Sequence, residues 1–209
     1  MGKEVEKAAA KKGHDIIFKI NSKNRTLLKS NILSKINVAI EFSKPEFAFD
    51  NIKLCIQNKT PIISGTTGWL NQINEIQALC TEHQGTFLHA PNFSIGMNLF
   101  FEINNYISKF MQNKNYNIMI EEKHHKMKKD KPSGTAIKLA HDIKNNIVNK
   151  KKISIISKRI GKLKGEHIVK YDSKIDEIKI THKAHSRKGF AEGAILAAEF
   201  IRNKKGIFT

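Results

Sequence analysis

The chain has 209 residues, of which 37 are Lys or Arg and 19 are Asp or Glu, for a formal charge of +18. That length holds one domain, or two small ones sharing a core. No apolar run approaches the ~20 residues that span a bilayer, no apolar segment follows the N-terminal lysines as in a secretory signal, and Cys55 and Cys80 lack a metal-ligand spacing.

Glu4–Lys12 has a helical pattern closed by Gly13, and His14–Ile20 reads as a strand. Asn37–Phe42 is a second strand, after which Ser43-Lys44-Pro45 opens a helix to about Gln57. Pro61–Ser64 reads as a strand running into Gly65-Thr66-Thr67-Gly68, followed by a helix over about Asn71–His83 and a strand at Thr86–His89. Such alternation predicts a parallel, doubly wound sheet. Ligands bind such sheets beyond the carboxyl ends of the strands, where the loops Gly65–Gly68 and Ala90–Phe93 fall. From Ser94 the character changes: a helix over Met97–Met111, a strand at Tyr116–Ile120, and a helix from Thr135. Strand-like runs at Ile153–Ser157, His167–Tyr171 and Glu177–His182, with no helix between them, predict a mixed or antiparallel sheet. Gly189–Ile201 is the last helix.

The two cysteines lie on apolar sides of predicted helices and read as buried free thiols in a reducing compartment, which makes the cytoplasm the expected address. The basic residues are spread over nearly every helix and loop, without one stripe or a base-stacking motif, so neither nucleic acid nor membrane is an expected partner. Their number, beside abundant Asn and Ile, fits the codon bias of an AT-rich genome, and the charge can steer anionic ligands.

The densest chemistry lies in Glu121–Ala136, EEKHHKMKKDKPSGTA. Two adjacent histidines and five lysines precede Pro132-Ser133-Gly134-Thr135, which stands at a helix mouth. Ser133 or Thr135 can cap that helix. Unpaired N–H groups and the positive dipole end make such a mouth an anion site. An ordinary cap beside a solvated loop would use the same residues without chemistry. An imidazole pair, Lys128 and an anion cradle together point to a small-acid site with a proton donor.

This segment resembles the signature of the 4-hydroxy-tetrahydrodipicolinate (dihydrodipicolinate) reductase family, E-x-x-H-H-x-x-K-x-D-x-P-S-G-T-A, filled by Glu121, His124, His125, Lys128, Asp130, Pro132, Ser133, Gly134, Thr135 and Ala136. Ser64–Gly68 is similar to the family's G-T-T-G turn beside the nicotinamide. Ala90-Pro91-Asn92-Phe93-Ser94-Ile95-Gly96 matches its A-P-N-[MF]-S-x-G segment at the hinge between domains. Thr181–Ala191 is similar to its H-x-A-x-S-R-x-x-F-A, which we read as mainly structural.

The resemblance implies an α/β fold in two parts. A Rossmann-like dinucleotide-binding domain takes residues 1–93 and 188–209, and an α+β substrate-binding and tetramerisation domain with a mixed sheet takes residues 94–187. It implies reduction of a small cyclic dicarboxylate with NADH or NADPH, in a homotetramer and without a metal. His124 and Lys128 are the implied catalytic residues. His125, Ser133, Gly134 and Thr135 would bind substrate. Gly65, Thr66, Thr67, Ala90, Pro91, Asn92 and Phe93 would contact the cofactor, with Lys19 and Phe42 at the ends of the first two predicted strands. Lys19, Lys23 and Arg25 favour a 2′-phosphate over a bare ribose.

The chain departs from the family in one respect: the fingerprint G-x-x-G-x-x-G after a first strand is missing, and Met1-Gly2 matches only its end. The expectation is a chain that begins inside the phosphate-binding loop, without the sheet's first strand. The span Gly161–Gly165 is compact, as in the short subtype. Competing expectations are another Rossmann-type reductase of small acids, a nucleic-acid-binding module, and a catalytically weakened remnant.

Overall fold

The computed structural model describes residues 1–128, 130–147 and 153–209, which form two compact units, Met1–Ser94 with Lys188–Thr209, and Ile95–Arg187. Among the described residues no helix is long and apolar enough to cross a membrane.

The first unit is a parallel sheet in the order β1 (Ala39–Glu41), β2 (Ile62–Ser64), β3 (Thr86–His89), β8 (Gly206–Phe208). Its short central strands are buried throughout, as parallel strands covered on both faces must be. Successive side chains divide between two cores. Ile62 and Phe87 pack with Ile52, Cys55 and Ile56 of α3 (Pro45–Gln57) and with Ile76 and Cys80 of α4 (Ile73–Glu82). Ile63 and Leu88 face Val5 and Ala9 of α1 (Gly2–Lys11) and Ala191, Ala194 and Ile195 of α7 (Lys188–Ile201). Pro45 opens α3 at a first-turn position while Lys44 before it stays extended, the pairing proline imposes.

One expectation fails here, and one strand lies where none was expected. His14–Ile20 forms no strand: Ile16, Ile17 and Phe18 are 39, 53 and 38% exposed. A strand needs a ladder partner, and among the described residues β1 pairs with β2 alone. Asparagines shape the turn after this stretch, with Asn21 N–H donating to Asn24 Oδ1 at 2.7 Å and Lys23 N–H to Asn21 Oδ1 at 2.8 Å. The unexpected strand is β8, whose three residues are too few to show a period.

The second unit is a mixed sheet in the order β5 (Ser154–Arg159), β4 (Asn117–His124), β6 (Glu166–Asp172), β7 (Glu177–Lys183). Only the β4–β5 pair is parallel, joined through α6 (Gly134–Asn146), while the other neighbouring strands run antiparallel. α5 (Ile95–Phe110) and α6 cover one face, enclosing Met97, Phe100, Phe101, Ile118, Ile120, Leu139, Ile143, Val169 and Tyr171. The architecture is α/β, with a parallel sheet in one unit and a mixed sheet in the other. One boundary matters for the site: β4 continues through His124, so Glu121–His124 are strand rather than loop.

Candidate active site

Along β4 the side chains alternate. Ile118, Ile120, Glu122 and His124 are buried on one face, while Met119, Glu121 and Lys123 are half-buried on the other. The two isoleucines belong to the core under the helices. Glu122 and His124 extend that row to the mouth of α6, where the lining becomes polar.

Glu122 is fully buried and gathers four donors, the Ser157 side chain among them. His124 Nδ1 meets its Oε2. Arg159 donates to Oε1 at 2.9 Å, and the Ser133 backbone N–H reaches the same oxygen at 3.3 Å. Arg159 is the register partner of His124 across β4 and β5. Its guanidinium also donates to the carbonyls of Lys128 at 3.3 Å, Lys158 at 2.9 Å and Asp130 at 2.5 Å, which straps the loop after β4 to the sheet. His167 stands opposite Glu122 on β6, its ring centre 5.0 Å from that of His124 and its Nε2 3.4 Å from Ser133 Oγ. Ser133 caps α6, its Oγ accepting the Ala136 N–H at 3.2 Å. Lys128 donates to Asp130 Oδ1 at 2.7 Å, and His125, half-buried, follows the strand directly.

Burial pushes the Glu122 carboxyl up, but hydrogen bonds from Arg159 and Ser157 and the adjacent positive charge outweigh it and hold the group ionised. Burial pushes His124 down, Glu122 pulls it back in part, and Lys128 and Arg159 add to the depression. His125 is lowered by burial and then by the charges of Arg187, Lys128, Lys164 and Arg159. His167, buried beside His124, is pushed down to about 3. All three imidazoles are therefore neutral near pH 7. A cationic, donor-rich loop next to a helix mouth and neutral imidazoles suits a carboxylate ligand and proton transfer.

Glu122, His124 and His167 also offer three ligand atoms within 4.8 Å of one another, the one such group among the described residues. A cation there would share its carboxylate with the Arg159 guanidinium, which argues against a metal.

In the first unit the predicted cofactor residues stand at the carboxyl ends of three neighbouring parallel strands. Phe42 follows β1, Gly65, Thr66 and Thr67 follow β2, and Ala90, Pro91, Asn92 and Phe93 follow β3. The rings of Phe42 and Phe93 meet edge to face with centres 5.7 Å apart. A Cβ on Gly65 would lie 2.1 Å from the Phe42 ring, so any other residue here would push that ring aside. Buried Glu41 accepts the hydroxyls of Ser64 at 2.6 Å and Thr66 at 2.9 Å, and the Ser43 N–H at 2.7 Å. The Thr66 hydroxyl is thus turned inward, and its carbonyl takes Trp69 Nε1–H at 2.8 Å. These fixed strand ends with a glycine turn fit a flat nicotinamide. Lys19 is not among them: it pairs with Glu6 at 2.9 Å, and the strand end it was assigned to is not formed.

Sequence reading missed Glu122, Arg159, His167 and Glu41. The two-residue period of a strand would have put Glu122, not Glu121, on the face of His124. Arg159 and His167 arrive by cross-strand register, which no local pattern reveals.

Comparison with known proteins agrees with both units. Residues 1–93 match the family model described as dihydrodipicolinate reductase, N-terminus, and residues 96–209 match its C-terminus. A relative in Christiangramia forsetii named 4-hydroxy-tetrahydrodipicolinate reductase is 40% identical over 222 aligned positions, covering 100% of this chain and 91% of its own. One of the same name in Aquifex aeolicus is 35% identical, covering 91% of this chain and 77% of its own. The solved structure titled dipicolinate-bound dihydrodipicolinate reductase from Paenisporosarcina sp. TG-14 superposes with a TM-score of 0.74 at 22% identity, covering 99% of this chain and 92% of that one, a likeness of fold. With both halves matched in order along nearly the whole sequence, the chain belongs to the dihydrodipicolinate reductase family.

Proposed function

We propose that this protein reduces 4-hydroxy-tetrahydrodipicolinate to tetrahydrodipicolinate with NAD(P)H, the reaction of the diaminopimelate and lysine route for which its relatives are named. The observation that carries the reading is the cluster at the mouth of α6, where Glu122 ties His124, Arg159 and Ser133 into one buried network. Loss of the ring hydroxyl with a hydrogen of the neighbouring carbon releases water and leaves a C=C bond. That bond takes one hydride at the former carbinol carbon and one proton at its neighbour. Gly65, Thr66 and Thr67 after β2 and Ala90–Phe93 after β3 would hold a reduced nicotinamide, which when bound would supply the hydride. The chain supplies the rest. Ser133, Gly134 and Thr135 offer one substrate carboxylate the helix mouth, and His125 contacts the other. Lys128 delivers the proton to the ring carbon beside the hydride acceptor, with His124, once it has taken up a proton, assisting as acid or polarising group.

Both NADH and NADPH serve in this reading. Lys19, Lys23 and Arg25 are the cations that favour a 2′-phosphate, though Lys19 already pairs with Glu6 and Arg25 with Asp50. The homotetramer is carried by the same reading. Met119 and Ile156, on the face of the mixed sheet turned from α5 and α6, would contribute apolar surface to it.

The test is oxidation of NADH and of NADPH by the purified chain with enzymatically generated 4-hydroxy-tetrahydrodipicolinate, and competition by dipicolinate. Turnover dependent on that substrate and inhibited by dipicolinate is expected. Turnover of other unsaturated acids but not this one would replace the reading with a different reductase. Light scattering tests the tetramer.

A further inference from the structure

We propose that Glu122 is a positioning residue that fixes the tautomer of His124, keeping the proton on Nδ1 and presenting Nε2 as the bare, working nitrogen. The tautomer rests on geometry, and its catalytic consequence rests on the reductase function proposed for the same site. Both oxygens of the carboxylate are committed. Oε1 accepts from Arg159 at 2.9 Å and from the Ser133 N–H at 3.3 Å, which leaves Oε2 facing His124 Nδ1. An ionised carboxylate only accepts, so a ring nitrogen in contact with it must carry the hydrogen. The other nitrogen of a neutral ring then holds a lone pair. Nε2 points toward Gly165, where a Cβ would come within 3.2 Å of it.

The chemical result is a direction of proton flow. Neutral His124 cannot donate from Nε2; it accepts there first, and the adjacent carboxylate stabilises the imidazolium that forms. Arg159 contributes indirectly, by holding Oε1 so that Oε2 cannot turn away from the ring. The network recruits the helix cap as well, since Ser133 gives its N–H to Glu122 while its Oγ accepts from Ala136. One buried side chain thereby registers the imidazole against the anion-binding end of α6.

Glu122→Gln makes a sharp test because the amide has two unlike ends. Arg159 and the Ser133 N–H require its oxygen, so its NH2 must face His124 Nδ1. That ring nitrogen then has to accept, and the proton moves to Nε2. Proton-detected ¹⁵N spectra of histidine-labelled protein, with His124 assigned by its loss in His124→Gln, read the tautomer directly and need no turnover. We expect Nδ1–H in the wild type, Nε2–H in Glu122→Gln, and a fall in kcat of about 10²-fold or more with KM changed much less. Glu122→Asp keeps an acceptor-only group and should retain Nδ1–H, so it and the wild type decide the matter should Glu122→Gln not fold. Nε2–H in the wild type overturns the proposal, and so does a flipped tautomer with undiminished kcat. A wild type with Nδ1–H but no reductase activity retains the tautomer assignment and sinks the proposed function instead.

Discussion

Glu41 and Ser64 are register partners at the carboxyl ends of β1 and β2, and the Ser64 hydroxyl donates to the Glu41 carboxylate over 2.6 Å. Ser43 and Thr66 donate to it as well, which makes this carboxylate the clamp of the Gly65–Gly68 turn. Glu41→Ala would leave the buried Ser64 and Thr66 hydroxyls without this acceptor, at a cost of about 1–3 kcal/mol each where no water enters. The expected outcome is a KM for NAD(P)H raised by about tenfold or more and a lower unfolding midpoint by fluorescence of Trp69, the single tryptophan, which lies in the same unit. The KM for the dicarboxylate should stay near that of the wild type. An unmoved cofactor KM would remove the turn from the cofactor site.

Gly193 in α7 faces the backbone of Phe93, and a Cβ there would sit 1.7 Å from the Phe93 carbonyl oxygen. Backbone cannot yield as a flexible side chain can. Gly193→Ala should therefore displace α7 from the Ala90–Phe93 loop and destabilise the first unit by roughly 1–3 kcal/mol or more, the scale of overpacking. Urea unfolding followed by Trp69 fluorescence checks it, and a midpoint equal to the wild type would contradict the close approach.

Lys128 holds Asp130 at 2.7 Å and contributes charge to His124 and His167. In the role of proton donor it is positioned by the Arg159 guanidinium, which binds its carbonyl at 3.3 Å. Lys128→Ala should lower kcat by about 10²-fold or more. Lys128→Met, which keeps the stem, should be no better. Near-normal turnover in either variant would take Lys128 out of the mechanism.

How much of this was written in the sequence depends on the range of the interaction. α3 was placed correctly because Pro45 and the apolar positions Ile52, Cys55 and Ile56 are local signals. The Ser133 cap was legible for the same reason. His14–Ile20 looked like a strand because composition reports the apolar character of Ile16–Phe18 but not the presence of a ladder partner. At the site, the histidines and Lys128 were visible as a cluster, whereas Arg159 is remote from His124 in sequence and becomes its neighbour only through the parallel β4–β5 register. Glu122 was the avoidable miss. Treating Glu121–His124 as loop discarded the alternation that puts Glu122 beside His124.

Arg159→Met tests the strap. Its guanidinium is the charged partner of a fully buried carboxylate, with side-chain exposures of 15% and 0%. Removing one partner of such a pair costs about 3–5 kcal/mol, because the other is left buried without compensation. The loop carrying Lys128 and Asp130 also loses its carbonyl contacts. We expect faster amide exchange at Ser133, a KM for the dicarboxylate raised by about tenfold or more, and a lower kcat. Unchanged exchange at Ser133 would show that the loop is held by something else.

The buried imidazoles predict how the second unit responds to acid. His167 titrates at about 3 in the fold against an ordinary 6.5, so between those values the unfolded chain binds a proton that the folded chain refuses. Unfolding is therefore coupled to proton uptake, and stability falls as pH drops through this window, by up to about 1.4 kcal/mol per pH unit for one such group. His124 is lowered as well and adds in the same direction. Glu122 and Asp130, held below the ordinary carboxylate range, extend the loss to lower pH. Amide exchange in β4 and β6, followed from pH 7 to pH 4.5, should show protection declining with this slope once the intrinsic rate is divided out. In His167→Asn the slope should shrink by about one proton, even if the variant is less stable at pH 7. A variant whose slope matches the wild type would mean that His167 is protonated inside the fold and that the depression is not real.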